Sequence, residues 1–340
     1  MNYHICHIIN NLNVDGGAQN IVKNIYKNSN YKNVIIILTG TKPKNLLNVN
    51  HLFYDFFKCI RVIYSSKVIH LHLFPSLYLS LLLPFKKKIF TEHNTFNRRR
   101  KYNIAQYIEN LVYSKYKFIV SISKAVHDSL FSWLKNPNLY FKVIYNGIDF
   151  NNFNFDQLKI QNLKKKFEKR EIINLCMVGS FTVQKDQEKL IELMPHLPDN
   201  FHLILAGDGP TLEKNIFLAK EKKVENRIEF LGVIEDISSV YSRSDIYIHA
   251  AHWEGFGLTI IEAAASGLPI LASRVEGINE ILDEKYMFDN NISYVDLSKK
   301  IIGIKKIKNE DYQLLFSSLK AKFSVRKMAL EYDNLYSSLF

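Results

Sequence analysis

The sequence predicts an α/β chain of two successive parallel-sheet units, each covered by helices on both faces. Three observations predict it. Short β-branched runs alternate with helical patterns from end to end. The rhythm breaks once, in a polar stretch rich in Asn and Lys, and then restarts. At 340 residues, 47% hydrophobic and 13% aromatic, the chain can fill two cores of ordinary size.

In the first half, strands are expected at 4–9, 34–38, 68–71, 88–90, 118–122 and 142–145, where Val, Ile and Phe run together between turn-forming residues. Helices are expected at 18–28, 104–114 and 124–134, where apolar residues recur three or four apart. In the second half the strand candidates are 172–178, 202–206, 228–231, 246–249 and 269–272, with a helix at 188–194. This reading gives a first Rossmann-like domain at 1–150, a linker at 151–170 and a second Rossmann-like domain at 171–310. Residues 311–340 read as one or two amphipathic helices, in position to cross back toward the first domain.

Three scattered cysteines (Cys6, Cys59, Cys176) argue against a disulfide framework and for a reducing compartment. No C-x-x-C pair points to a structural zinc site. The chain enters a strand-like run at once, so no secretory signal is expected. Its longest apolar stretch, 71–85, is too short to span a bilayer and holds Pro75 and Pro84. A cytoplasmic protein is expected, peripheral at most to the inner face of a membrane.

Charge is uneven. Residues 1–150 hold 20 Lys and Arg against 6 Asp and Glu, so the first half carries the whole net charge of +12. The densest runs are Lys86, Lys87, Lys88 and Arg98, Arg99, Arg100, Lys101, interleaved with aromatics. They favour an anionic membrane surface or a lipid diphosphate; a solvated basic face is the plain alternative. The same charge would suit nucleic acid, but no helix-turn-helix or RNA-binding signature accompanies it, so no nucleic-acid partner is expected.

Residues 253–262, W-E-G-F-G-L-T-I-I-E, carry the most chemistry. Gly255 and Gly257 allow a tight turn directly before an apolar helix. The backbone N–H groups of Phe256, Gly257, Leu258 and Thr259 then form a helix N-terminus suited to phosphate. Glu254 and Glu262 bracket that cradle. Carboxylates repel phosphate, so hydrogen-bond donors such as sugar hydroxyls are their sensible partners. The set reads as an anion site beside a polyol site. The alternative is a solvated Glu254 and a Glu262 that merely favours the helix start.

Other candidates lie at strand ends. Gly16 and Gly17 precede the first helix and let backbone approach a ligand, although a plain turn explains them too. Gly179 and Ser180 end the first strand of the second unit, and Lys185 follows, placed to neutralise a diphosphate leaving group or else to sit on the surface. His93, just past a strand, could contact a transferred group or stand as a hydrogen-bonded loop residue. No D-x-D pair is present, so no metal is expected, and His249 with His252 lacks a further ligand to close a shell.

These motifs together resemble the family four glycosyltransferases, retaining enzymes of the GT-B fold, over most of the chain. In order they are G-G-A (16–18), T-E-H-N (91–94), V-S-I-S-K-A (120–125), Y-N-G-I-D (145–149) and V-G-S-F-T-V-Q-K-D (178–186). L-A-G-D-G-P (205–210), R-I-E-F-L-G (227–232) and E-G-F-G-L-T-I-I-E follow, then A-A-A-S-G-L-P-I-L-A-S (263–273). The resemblance implies two Rossmann-like domains facing each other across a cleft, the first on the acceptor side. It implies that Glu254 holds donor-sugar hydroxyls and that Phe256, Gly257 and Leu258 offer backbone N–H. Glu262 would bind ribose, Lys185 would balance the diphosphate, and Gly17 would close over it. Gly232 and Val233 would line the base, and His93 would approach the transferred sugar. Many members carry Arg where Ser180 stands; that change weakens diphosphate stabilisation by the ~1.5–3 kcal/mol of a charged hydrogen bond.

The expected function is metal-independent, retaining transfer of a sugar from a nucleoside diphosphate, uridine-linked, to a hydroxyl of a lipid-linked polysaccharide precursor, with no cofactor beyond the nucleotide sugar. Two rivals stay open: a nucleotide-sugar 2-epimerase of the same fold, and a non-catalytic nucleotide-sugar-binding subunit of a glycan assembly complex.

Overall fold

A computed structural model describes residues 3–12, 16–43, 46–83, 87–156 and 158–340. The chain divides into two compact units, residues 1–147 with 323–340, and residues 148–322.

The first unit begins β1 (Ile5–Ile9), α1 (Gly17–Asn28), β2 (Asn33–Ile37), β3 (Val49–His51), α2 (Phe56–Ser65), β4 (Val68–His72) and β5 (Lys87–Glu92). It continues α3 (Asn103–Tyr113), β6 (Phe118–Ser121), α4 (Lys124–Leu134) and β7 (Phe141–Val143). All its strand pairs are parallel, in the order β3-β2-β1-β4-β5-β6-β7. Because successive side chains leave opposite faces of a strand, each face builds its own core. Cys6, Ile8, Ile69 and Leu71 pack with Cys59, Val62 and Ile63 of α2 and Val112 and Tyr113 of α3. Ile9, Ile35 and Ile37 pack on the other side, with Val22 of α1.

The second unit runs α5 (Lys159–Lys169), β8 (Ile173–Val178), α6 (Gln187–Leu193), β9 (Phe201–Ala206), α7 (Leu212–Glu221), β10 (Ile228–Gly232) and α8 (Ile237–Ser242). Then come β11 (Ile246–His249), α9 (Leu258–Ala265), β12 (Ile270–Ser273), α10 (Glu276–Asn279), β13 (Met287–Phe288), α11 (Tyr294–Gly303) and α12 (Asn309–Phe323). Its parallel sheet is ordered β10-β9-β8-β11-β12-β13, the same reversal as in the first unit. α13 (Val325–Ser337) belongs to the first unit. Asp333 ties it to the end of α1, accepting from the Ser29 hydroxyl at 2.5 Å and the Asn30 N–H at 2.8 Å.

The segment 151–170, expected as linker, is corrected by the structure. It carries α5, whose Ile160 and Leu163 are buried with Phe167 packed behind them. The apolar positions fall on one face, and Lys166 on the polar side pairs with Asp245 at 2.8 Å. Composition pointed to a linker; the helical period decided the outcome. Sequence reading also passes over β3 and β13. The two strands are three and two residues long.

Candidate functional site

In a sheet with this strand order, ligands settle outside the carboxyl ends at the place where the order reverses. In the second unit that place lies between β8 and β11. The loops after both strands meet there. The Gln184 side chain donates to the Trp253 carbonyl at 2.8 Å, and the Gln184 carbonyl accepts from the His252 N–H at 2.8 Å. Asp186 lies 3.2 Å from His252 Nε2 and also caps α6. Residues 69 apart in the chain are thus locked side by side, and Lys185 Nζ bonds Glu254 Oε2.

Glu254 is the centre of the network. Its Oε1 accepts from the Gly255 N–H at 3.1 Å, and its Oε2 also meets His249 Nε2 at 3.2 Å. Burial alone would raise this carboxyl, but Lys185 and His249 override it and hold it well below the usual range. His249 is fully buried, and burial pushes its own basicity down. An ionised carboxylate at Nε2 calls for the proton there, which leaves Nδ1 to face the Tyr247 hydroxyl at 3.2 Å. Tyr247 in turn lies 2.8 Å from Thr259 Oγ1 on α9.

α9 starts at Leu258, with Gly257 as its cap at φ +88 and no side chain to satisfy the first turn. Only glycine holds that backbone cheaply. Phe256 is buried, so what it offers outward is backbone. Glu262, one turn into the helix, accepts from the Tyr241 hydroxyl at 3.2 Å. Burial raises its carboxyl to about 7, with the Tyr241 bond opposing. One end of this unit therefore holds a carboxylate kept ionised, a second kept near neutrality, a lysine and an uncapped helix start.

The glycine-bearing loops frame the same edge. The Gly179 N–H donates to the Ala206 carbonyl at 2.9 Å and the Gly207 N–H to the Gly232 carbonyl at 2.8 Å. A Cβ on Gly207 would lie 2.0 Å from the Gly179 carbonyl oxygen, so the close stacking of these strand ends requires glycine. Ser180 and Val233 are exposed beside them.

The other candidates sit in the first unit. Gly16 caps α1 and Gly17 begins it. His93 follows β5; it is buried, neither ring nitrogen has a partner, and burial lowers its basicity to about 3. Glu92 beside it accepts from the N–H groups of His93 and Asn94 and from the Tyr113 hydroxyl. Sequence reasoning missed His7, which joins His70 and His72 in a buried group whose ring nitrogens lie within 4.8 Å of one another. His7 Nδ1 meets His72 Nε2 at 3.2 Å, while His70 is engaged by Tyr336 and Thr91, each at 2.7 Å. It also missed His249, treated only as half of a metal pair, and Gln184. The signal for His249 was its place at the end of a strand, five residues before Glu254; Gln184 carried none.

The basic runs are corrected. Lys86 and the Arg98 side chain lie outside the described residues. Lys88, on β5, turns into the protein and donates to the Ser80 carbonyl at 2.7 Å. Lys87 bonds the Leu339 carbonyl. Arg99 pairs with buried Glu109 at 2.5 Å, and Arg100 donates to the Thr95 carbonyl and the Ser129 hydroxyl, each at 2.8 Å. Strand alternation and a buried acid turn most of the run into internal bonds. Of the two clusters, Lys87 and Lys101 stand exposed, and Lys101 is the one not drawn into the bonds just described. Among the described residues no helix is long and apolar enough to cross a membrane.

Comparison with known proteins follows the same division. The O-antigen biosynthesis glycosyltransferase WclY of Escherichia coli is 28% identical over 63% of this chain, which spans 62% of that protein's length. An uncharacterized glycosyltransferase of Methanocaldococcus jannaschii is 29% identical over 76% of this chain and 70% of its own. HepE of Anabaena, crystallised with UDP and glucose, superimposes with a TM-score of 0.83 at 18% identity, covering 99% of this chain and 100% of its own. The family described as Glycosyltransferase Family 4 matches residues 14–152, and Glycosyl transferases group 1 matches residues 158–314. These two spans take in most of the sequence, and the chain belongs to this glycosyltransferase family.

Proposed function

We propose that the protein transfers a sugar from a uridine diphosphate sugar to a hydroxyl of a lipid-linked glycan, with retention at the anomeric carbon and without a metal ion. The observation that carries this reading is the meeting of Lys185, Glu254, Glu262 and the α9 start at one sheet edge. In this reading Lys185 and the N–H groups of Leu258 and Thr259 receive the diphosphate. Glu254 takes donor-sugar hydroxyls, and Glu262 takes the ribose. Gly179, Ser180, Gly232 and Val233 line the nucleotide. As the bond from C1 to the β-phosphate oxygen breaks, the acceptor oxygen bonds C1 on the same face. Its proton passes to the departing phosphate oxygen. His93, neutral and with both ring nitrogens unbonded, hydrogen-bonds the transferred sugar. Uridine is carried over from HepE, whose structure holds UDP and glucose. Polysaccharide assembly is carried over from the O-antigen relative.

A panel of nucleotide sugars tested for thermal stabilisation identifies the donor. Stabilisation by uridine diphosphate sugars that disappears in Lys185→Ala supports the reading; no stabilisation by any nucleotide sugar overturns it. Donor turnover to an isomer without acceptor would favour the epimerase instead.

A further inference from the structure

One layer of the first unit is apolar on both sides. α2, the 3-10 segment Ser76–Leu81 and α3 send Cys59, Val62, Leu77, Val112 and Tyr113 into a single core. A helix in that position should turn a polar face to solvent. Here Phe57 is 85% exposed, Leu82 82%, Tyr107 75% and Ile104 70%, with Ile60 and Leu111 also exposed. Residues 57 and 60, and 104, 107 and 111, fall at helical spacing, so each helix shows a second apolar stripe opposite its buried one. An apolar surface of this extent marks an interaction site.

The charges around the stripes identify the partner. Lys58, Arg61, Lys101 and Lys115 are exposed on the same elements or beside them. The acids nearby do not answer them. Asp55 pairs with Lys42 at 2.6 Å, and Glu92 and Glu109 are buried. A second copy of the chain laid face to face would bring like charges together, which is costly. Anionic headgroups neutralise those charges while aromatic and aliphatic side chains enter the interfacial layer.

We propose that the outer face of α2 and α3 is a docking surface for an anionic phospholipid bilayer. It deepens the lipid-linked acceptor of the proposed function, and it moves the membrane contact from the 86–88 and 98–101 runs to these stripes, keeping Lys101 alone of those runs.

The test is flotation with vesicles of phosphatidylglycerol and phosphatidylcholine, against vesicles of phosphatidylcholine alone. The protein should float with the anionic vesicles at low salt and release at high salt. Phe57→Asp and Tyr107→Asp, both at exposed positions, should each lower partitioning about tenfold, the effect of withdrawing one large apolar side chain. Phe217→Asp, at a position 69% exposed on α7, should leave it unchanged. Phe57→Trp should give a blue-shifted emission on adding anionic vesicles. Wild-type protein that stays with the solvent phase, or Asp variants that float as well as wild type, would overturn the proposal. So would loss of a dimer in light scattering of those variants without loss of flotation. Thermal stabilisation by the nucleotide donor should be identical in all variants, so a failed docking surface and a failed donor site give different results.

Discussion

The two sheets share one strand order and differ in what stands at the place where it reverses. In the second unit the edge is a closed electrostatic network: Lys185, Glu254, His249 and Tyr247 each have a partner, and Glu262 has Tyr241. In the first unit the edge holds neutral imidazoles. His7 Nε2, His72 Nδ1 and both nitrogens of His93 have no hydrogen-bond partner. Topology places the two edges alike; side chains make one a set of fixed charges and the other a set of unfilled donors and acceptors. The first kind is organised before any ligand arrives. The second kind costs folding free energy until something fills it.

The largest test attacks the charged edge. Lys185→Ala leaves Glu254 without its cation, and donor turnover should fall by about two to three orders of magnitude. Its thermal midpoint should also drop, and adding Glu254→Gln should restore the midpoint without restoring turnover. A double variant that regains activity would show that the pair is structural. Next comes the neutral edge. His93→Leu removes two unpaired buried nitrogens, so it should raise the thermal midpoint while lowering kcat about ten- to hundredfold. A lower midpoint with intact kcat would make His93 an ordinary core residue and erase the contrast.

A smaller effect is expected from His249→Asn, which frees Glu254 Oε2 on one side while leaving Lys185 in place. KM for the donor should rise more than kcat falls, about tenfold in kcat/KM. The smallest concerns pH. Glu262 is raised from 4.5 to about 7 in the folded protein, so between those values the folded state holds a proton that the unfolded state has lost. Stability from this group is present at low pH and declines as pH rises toward about 7. Thermal midpoints of the wild type should slope downward over that window, and Glu262→Gln should flatten the slope. Ribose hydroxyls stabilise the ionised form, so donor binding should tighten over the same window in the wild type alone. Equal slopes in both proteins would place the titration elsewhere.

How much could be read beforehand depended on distance along the chain. The turn at 254–257 and the start of α9 were legible, because glycine and helix-start preferences act within a few residues. The longer strands were legible for the same reason, and β3 and β13 were too short to show a pattern. Strand order explains why His249 and Lys185 meet at Glu254, and order is not a local property. The polar composition of 151–170 hid α5, because Ile160, Leu163 and Phe167 are few but evenly spaced. The basic runs misled in the opposite way: charge was visible, and its internal partners Ser80, Glu109 and Ser129 were not. The stripes on α2 and α3 escaped because apolar residues on both faces blur a helical period.

The sequence by itself determined the two-unit α/β plan, the family and the glycine turn that opens α9, because period, glycine placement and motif order are written in neighbouring positions. Only the tertiary structure decided which charges remain available. Lys185 is matched to Glu254, Lys88 is turned inward, Glu262 is held near neutrality and His93 is left unbonded. Those outcomes follow from burial and from contacts between residues far apart in the chain, and no local pattern carries them.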